Sequence, residues 1–264
     1  MDISVIVFII VGFGSIVAGF IIEKGVLSAL FLIAPAVIVF GGTAGAVGVT
    51  FPLEILKRLP GIVKVVINPK KIDLPGLVAY FKDVSYKTRK NGLLSLEGEI
   101  STDPNLDAFI KKGLQLVVDG VDPQAVRSIL ELELESTSDR HRKGAAIFEQ
   151  AGGFAPTLGI IGTVMGLVHI LADLSDPNTL GPKIASGFLA TLYGLASANL
   201  LFLPLATRLK ALDEKEFSEK SLIIEGILYI QEGINPNTIA EKLKGFLNKQ
   251  ELLKFEGMDG KAEV

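Results

Sequence analysis

Apolar segments long enough to cross a membrane alternate with polar stretches along this chain. Four such segments occupy residues 3–22, 26–49, 152–171 and 184–207. A helix of about 20 apolar residues spans the hydrocarbon core of a bilayer, and each segment reaches that length. The pattern therefore predicts an all-α, polytopic membrane protein with four transmembrane helices and a helical domain between the second and third of them.

Helical periodicity continues in the polar region between the two pairs of spans. Apolar residues recur at helical spacing over 74–90 and over 105–118. Asp122 followed by Pro123 is typical of a helix start, with Asp as N-cap and Pro as the first helical residue. Because no Gly or Pro follows before Gly144, we expect this helix to run on into the third span.

The polar region after the fourth span is also predicted to be helical. A polar helix is predicted from Arg208 towards Gln231, and Asn235-Pro236 starts another. Between the third and fourth spans, a short loop is expected over 173–183, where Pro and Asn give a turn signal. These elements divide the chain into 1–50 with two spans, 51–150 with polar helices, 151–208 with two spans and 209–264 with C-terminal helices and a tail.

Basic residues predict how the spans are oriented. They cluster after the second span (Lys57, Arg58, Lys64, Lys70, Lys71) and after the fourth (Arg208, Lys210, Lys215). Short loops rich in Lys and Arg face the cytoplasm, so both termini and the 51–150 domain are predicted to be cytoplasmic. The Met1-Asp2 start lacks the basic region of a cleavable signal peptide, and we expect the first apolar segment to be retained as an anchor.

Composition argues against several classes of function. The chain has no Cys, two His and a formal net charge of −3, which gives no indication of disulfides, a Cys- or His-rich metal site or nucleic-acid binding. Neither a Walker A loop nor a recognisable catalytic motif is present. We therefore expect no enzymatic activity, no cofactor, no bound metal and no nucleic-acid partner, with membrane lipid as the surroundings of the spans.

Polar residues inside the spans are the candidates for an ion path, because polar groups in lipid are costly and face a protein interior. They are Thr163, His169, Ser186, Thr191, Ser197 and Asn199. A hydroxyl in a membrane helix can instead bond to its own backbone carbonyl, and His169 lies near a span end, where a structural role is favoured. Thr163 and Thr191 lie mid-span and are the best candidates.

Two prolines near the ends of the last two spans have two possible roles. Pro156 and Pro204 each remove a backbone donor and kink a helix, which serves either packing or a hinge beside an ion path; the residues leave both open. No carboxylate lies mid-span, although a cation crossing a membrane normally meets an acid. Either the protein moves no ions or a partner helix supplies the acid, for which the small residues of the spans leave room.

Three segments resemble one known family. The stretch from Gly152 to His169 (GGFAPTLGIIGTVMGLVH), the stretch from Phe202 to Lys210 (FLPLATRLK) and the charged motif from Arg89 to Glu97 (RKNGLLSLE) are similar to the flagellar stator A subunit, the MotA/PomA family. The likeness extends over nearly the whole chain in order and spacing. Relatives that energise uptake across the outer membrane, the ExbB/TolQ group, have three spans, so the paired N-terminal spans argue against them.

The resemblance implies a role in flagellar rotation in the bacterial inner membrane. It implies a homo-pentamer around two MotB-type B subunits, each bringing an ion-binding Asp, and contact with the rotor protein FliG. By matched positions, the resemblance implies that Arg89 and Glu97 contact the rotor and that Pro156 and Pro204 take part in coupling. It also implies that Thr191 lies beside the Asp of the B subunit. Hydroxyls at both Thr163 and Thr191 resemble sodium-type members, while protons are the expected ion. An uptake-energising channel and a non-conducting membrane scaffold remain the alternatives.

Overall fold

The computed structural model describes residues 2–102, 106–172 and 177–262, and every regular element in these ranges is helical. Four helical segments are long and apolar enough to cross a membrane, which confirms the predicted all-α fold with four spans. The described contacts divide the chain into two compact units. The span unit comprises Met1–Lys70 and Arg140–Leu212, and the polar unit comprises Lys71–Asp139 and Asp213–Val264.

The first span is one helix and the second is interrupted. Helix α1 is Ile3–Ile22. The second span consists of a 3-10 turn at Leu27–Leu30, helix α2 at Ile33–Ala36, a π turn at Val37–Gly41 and helix α3 at Gly42–Thr50. The predicted second span is confirmed over Leu27–Thr50, but it is not one regular helix. Pro35 has no N–H, and its ring would clash with the carbonyl of Phe31 in a continuous helix.

Two short helices follow the second span and pack within the span unit. They are α4 at Leu53–Leu56 and α5 at Leu59–Ile67. Val66 of α5 is buried with four residues of later helices in one apolar cluster, the others being Ala145, Phe148, Ala206 and Leu209. Residues 51–70 thus belong, by their contacts, with the spans.

The last two spans belong to long helices. Helix α9 is Pro123–Leu171, helix α10 is Pro177–Ser197, a π turn covers Ala198–Phe202 and helix α11 is Leu203–Gln231. The predicted start at Asp122-Pro123 is confirmed, because the Asp122 carboxylate accepts hydrogen bonds from the N–H groups of Gln124 (3.3 Å) and Ala125 (3.2 Å). The continuation of α9 into the third span is confirmed too.

The loop between these spans is shorter than predicted. We expected irregular structure over 173–183, but α10 already begins at Pro177 and contains Pro182. Proline is well suited to the first helical position, where its missing N–H has no partner to lose. Residues 173–176 lie outside the described residues.

The polar unit adds helices α6 (Leu74–Asn91), α7 (Leu96–Thr102), α8 (Ala108–Val118), α12 (Pro236–Leu243) and α13 (Lys249–Ala262). Its core contains Phe81, Leu114, Leu130, Ile227 and Phe255, each fully or almost fully buried. Asp107 and Asn235 cap α8 and α12 through bonds from backbone N–H groups of 2.9 Å and 3.0 Å. The predicted helix over 105–118 therefore begins later, at Ala108, and residue 105 lies outside the described ranges.

Candidate functional site

Helices α9 and α10 approach each other closely along a row of glycines. A Cβ at Gly159 would lie 2.8 Å from the carbonyl oxygen of Ala190 and 3.0 Å from Cα of Thr191. A Cβ at Gly166 would lie 3.0 Å from Cα of Gly187, and one at Gly194 would overlap the carbonyl oxygen of Ala155. Small residues allow such backbone contact between membrane helices. Side chains and carbonyls of one helix can therefore bond directly to the other.

The two predicted hydroxyls meet at this contact. Oγ1 of Thr163 lies 2.5 Å from Oγ1 of Thr191. Oγ1 of Thr163 also lies 2.9 Å from the carbonyl oxygen of Gly187 and 3.1 Å from that of Gly159, and Oγ1 of Thr191 lies 3.3 Å from the latter. Thr163 thus bonds both back to its own helix and across to α10.

The cluster has more oxygen acceptors than protons. It joins four oxygens, two hydroxyl and two carbonyl, but the hydroxyls supply one donor proton each. Both threonines are half-buried. Such a cluster can accept a hydrogen bond from a proton carrier, or can coordinate a hard cation through oxygen. It offers no negative charge, since residues 151–171 and 177–212 contain no Asp or Glu.

The two predicted prolines lie at different levels of the same bundle. Pro156 lies inside α9, one turn from the Gly159 contact, and Gly194 of α10 is so close that a Cβ there would lie 3.1 Å from Cα of Pro156. Pro204 is the second residue of α11, directly after the π turn Ala198–Phe202. In a π turn, each N–H bonds to the carbonyl five residues back. This change of bonding pattern directly before Pro204 tolerates a proline, which has no N–H to donate.

The remaining polar residues of the last two spans line a neighbouring cavity or bond to their own helix. His169 and Ser186 line a cavity of about 430 Å³ together with Lys183 and apolar residues of α2. Ser197 donates to the carbonyl of Gly194 (3.1 Å), and Asn199 donates to that of Leu195 (2.9 Å). The described residues contain no group of three or more His, Asp or Glu that could hold a metal ion.

Arg89 and Glu97 lie in the polar unit on either side of a break. Helix α6 ends at Asn91, Gly92 has a φ of +79°, a 3-10 turn covers Leu93–Ser95, and α7 begins at Leu96. A positive φ favours glycine, which lacks a Cβ. The chain therefore turns after Asn91, and both charged side chains are exposed. Leu94, between them, is 70% exposed.

Sequence reasoning missed one link in this site. The hydroxyl of Tyr193 donates to the carbonyl of Leu30 (2.5 Å) and accepts from the N–H of Leu32 (3.0 Å), and its ring stacks on Phe40. Non-helical backbone within a membrane needs such partners. Tyr193 is two residues from Thr191, so α10 is held by α9 at one face and by the interrupted second span at another. Only knowledge of that interruption could have singled out Tyr193.

Comparison with known proteins gives consistent results. The profile of the MotA/TolQ/ExbB proton channel family matches residues 101–221. The chain is 40% identical to "Uncharacterized protein YtxD" of Bacillus subtilis over 81% of this chain and 78% of that one. It is 36% identical to "Motility protein A" of Bacillus subtilis over 97% and 94% of the two chains.

A solved structure extends the likeness to three dimensions. The flagellar MotAB stator complex from Bacillus subtilis has a chain that superimposes with a TM-score of 0.88 at 37% identity, covering 95% of this chain and 98% of that one. The likeness extends over nearly the full length of both chains. The chain belongs to the MotA/TolQ/ExbB proton channel family, and its relatives over more than nine-tenths of both chains include Motility protein A of Bacillus subtilis.

Proposed function

We propose that this chain, a flagellar stator subunit, couples cation flow across the membrane to rotation of the flagellar rotor. The observation that carries the proposal is the hydrogen-bonded pair Thr163–Thr191, which lies in spans that contain no carboxylate of their own. Polar groups inside a membrane are costly, face the interior of the protein and often mark ion paths. One charge that crosses the field gains about 2.3 kcal/mol per 100 mV, so repeated single-ion steps can drive rotation without ATP.

The missing acid comes, in this proposal, from a B-type partner. The solved relatives are complexes of an A with a B chain, and we assign this chain a MotB-type partner in two copies, each with an ion-binding Asp. Five copies of this chain would surround them as a homo-pentamer. Exposed apolar side chains along the spans, such as Phe8 at 73% and Ile33 at 83%, support burial against lipid or further copies.

The ion is proposed to be a proton, as in the description of the family. Sodium is the second candidate, and a specific observation favours it. Two hydroxyl and two carbonyl oxygens lie together at the threonine pair, and a hard cation prefers oxygen ligands. A carboxylate from the partner would complete either kind of site.

Two further roles complete the mechanism. Arg89 and Glu97, exposed on either side of the α6–α7 turn, would contact FliG, because exposed charges tune the encounter rate of surfaces that must engage and release. Pro156 and Pro204 would act as hinges that transmit movement from the ion site along α9 and α11. In this arrangement the protein lies in the bacterial inner membrane with both termini cytoplasmic, as the basic residues after spans two and four indicate.

Complementation tests the proposal. The chain is expressed, with and without a MotB-type partner, in a motile bacterium that lacks its own stators. We expect swimming only with the partner, and a speed that follows either the proton or the sodium gradient. Correct membrane insertion of both chains with no swimming would contradict a stator role, and restored outer-membrane uptake instead would favour the ExbB/TolQ alternative. Assembly without any ion flux would favour the scaffold.

A further inference from the structure

We propose that helices α4 and α5 form a binding surface for anionic lipid headgroups, at the face of the membrane where the second span ends. The surface consists of Lys57, Arg58 and Lys64, all exposed, together with the exposed apolar side chains beside them, and is called the basic surface below. Binding of lipid there requires only that the apolar segments cross a membrane, and it involves neither the transported ion nor the rotor.

Both ends of the α4–α5 segment lie at one face of the membrane. Helix α3, the last part of the second span, ends at Thr50, and α4 begins three residues later at Leu53. At the other end, the N–H of Asp2, directly before the first span, donates to the carbonyl of Ile67 at 2.8 Å. The segment therefore joins the end of one span to the start of another, and runs along the face at which both are found.

The last two spans reach the same level as α5. Val66 of α5 packs in one apolar cluster with residues of α9 and α11, namely Ala145, Phe148, Ala206 and Leu209. The two α9 residues come just before the apolar segment 152–171, and the two α11 residues lie at the end of the segment 184–207. All four spans thus meet this face beside α5, which places α5 in the headgroup region that flanks the hydrocarbon core.

Helix α5 packs one face against the spans and leaves the opposite face exposed. Ile62 and Val66 belong to the packed face, and residues four positions apart lie on the same side of a helix. Lys64, halfway between them, lies on the opposite side, and its neighbours Val63 and Val65 are 37% and 49% exposed. A lysine among apolar side chains can lay its stem along them and place its charge among headgroups.

Helix α4 shows the same combination of charge and exposed apolar surface. Leu53 is 71% exposed, and its carbonyl accepts from the N–H of Lys57 at 2.9 Å, so the two side chains lie on one side of the helix. Arg58, the next residue, is exposed as well. Ile55 and Leu56 instead pack against the spans. Exposed apolar side chains beside cations are typical of helices that lie in a membrane interface.

The positive charge of the basic surface is left uncompensated. None of its three basic side chains makes an ion pair with a residue that the structure describes. By contrast, Arg208 and Lys210, at the end of the fourth span, pair with Asp2 and Glu149. Residues 53–67 carry a net charge of +2, and each Lys or Arg near a membrane surface increases binding to anionic lipid about fivefold. An anionic lipid therefore complements both the charge and the apolar side chains.

Fluorescence quenching by brominated lipids tests the surface in the full-length chain reconstituted into vesicles. The chain contains no Trp, so Leu53→Trp places a single fluorescent reporter beside Lys57, and a brominated lipid quenches it on contact. Vesicles with brominated phosphatidylglycerol are compared with vesicles of brominated phosphatidylcholine. We expect phosphatidylglycerol to be preferred at the reporter by at least about fivefold, the effect of one basic side chain, and the preference to weaken at high salt.

Two double variants of the reporter chain test the charges. Lys57→Gln with Arg58→Gln should abolish the preference, whereas the matched control, Lys111→Gln with Lys249→Gln, removes two exposed charges of the polar unit and should retain it. Equal quenching by both lipids in the reporter chain, or equal loss of preference in both double variants, would overturn the surface. Quenching by neither lipid would show that another copy of the chain covers α4, and would overturn it too. Rotation is not measured, so failure of the proposed function would leave this result unchanged.

Discussion

Single side chains decide the chemistry at the centre of the last two spans. The hydroxyl of Thr191 takes part in bonds to Thr163 and to the carbonyl of Gly159. Thr163 has a further partner, since its hydroxyl also donates to the carbonyl oxygen of Gly187. Removing the Thr191 hydroxyl therefore leaves Thr163 with its carbonyl partners. The role of Thr191 can for that reason be tested in an assembled protein.

The first prediction is that Thr191→Val abolishes swimming while the complex still assembles. Valine keeps the shape but leaves a polar neighbour short of a partner, at a cost of about 1–3 kcal/mol. Swimming and purification with the B subunit measure the two effects. Thr207→Val is the matched control, because its hydroxyl bonds only to its own helix. Normal torque in Thr191→Val would refute a direct role, and Thr163→Ala should harm a sodium-driven motor more than a proton-driven one.

A second prediction concerns Asp2 at the start of α1. Hydrogen bonds from Ser4, together with the ion pair to Arg208, hold the pKa of Asp2 below its ordinary value of 3.8. A lowered pKa stabilises the folded protein above the ordinary value, and this contribution is lost as pH falls through the folded pKa. We expect Asp2→Asn to lower Tm in detergent at neutral pH, with a difference that disappears well below pH 3.8.

Glu23 at the other end of α1 provides the control for Asp2. It is exposed, and it caps the helix through its backbone N–H rather than its carboxylate. Glu23→Gln should leave Tm at neutral pH unchanged. An Asp2→Asn effect that persists at low pH would point to lost packing instead of lost charge.

At the scale of elements, the approach of α9 and α10 brings the two threonines together. The third prediction is that Gly159→Ala destabilises the protein by about 1–3 kcal/mol and impairs swimming, because its Cβ would lie 2.8 Å from the Ala190 carbonyl oxygen. Gly153→Ala on the same helix is the control, since nothing lies within 4 Å of a Cβ there. Thermal unfolding in detergent compares them. Equal stability of the two variants would show that the close contact is not required.

The turn between α6 and α7 presents the charges assigned to the rotor. The fourth prediction is that Arg89→Glu impairs motility with little change in expression or membrane insertion, because a surface charge adds at most about 1 kcal/mol to stability. A reciprocal charge change on FliG should restore part of the swimming. Normal swimming of both Arg89→Glu and Glu97→Lys would exclude these residues as the rotor contact.

At the scale of the whole molecule, the chain lacks a charge that its proposed activity needs. The fifth prediction is that the chain expressed alone conducts no ions, because residues 151–171 and 177–212 hold no carboxylate. Cytoplasmic acidification and sodium entry measure the flux. Co-expression with the B subunit is the positive control. A robust leak without that subunit would show that the chain has a complete ion path of its own.

Sequence alone determined the elements of this protein. Spans require about 20 apolar residues, and this local signal is read directly from the chain. The start of α9 at Asp122-Pro123 was predicted for the same reason, since capping depends on the residue in place. Thr163 and Thr191 stood out as mid-span hydroxyls, although their role in the ion path stays a prediction.

Tertiary structure decided which of these groups meet. Thr163 and Thr191 are 28 residues apart, and only the glycine contact between α9 and α10 puts their oxygens within 2.5 Å. The break in the second span was not predicted, because hydropathy averages over the residues around Pro35. The hydroxyl of Tyr193, which accepts a hydrogen bond from the non-helical backbone at Leu32, is 161 positions away along the chain. Hydrogen bonding between helices is likewise a property of packing, because it is decided by what lies within about 3 Å in space.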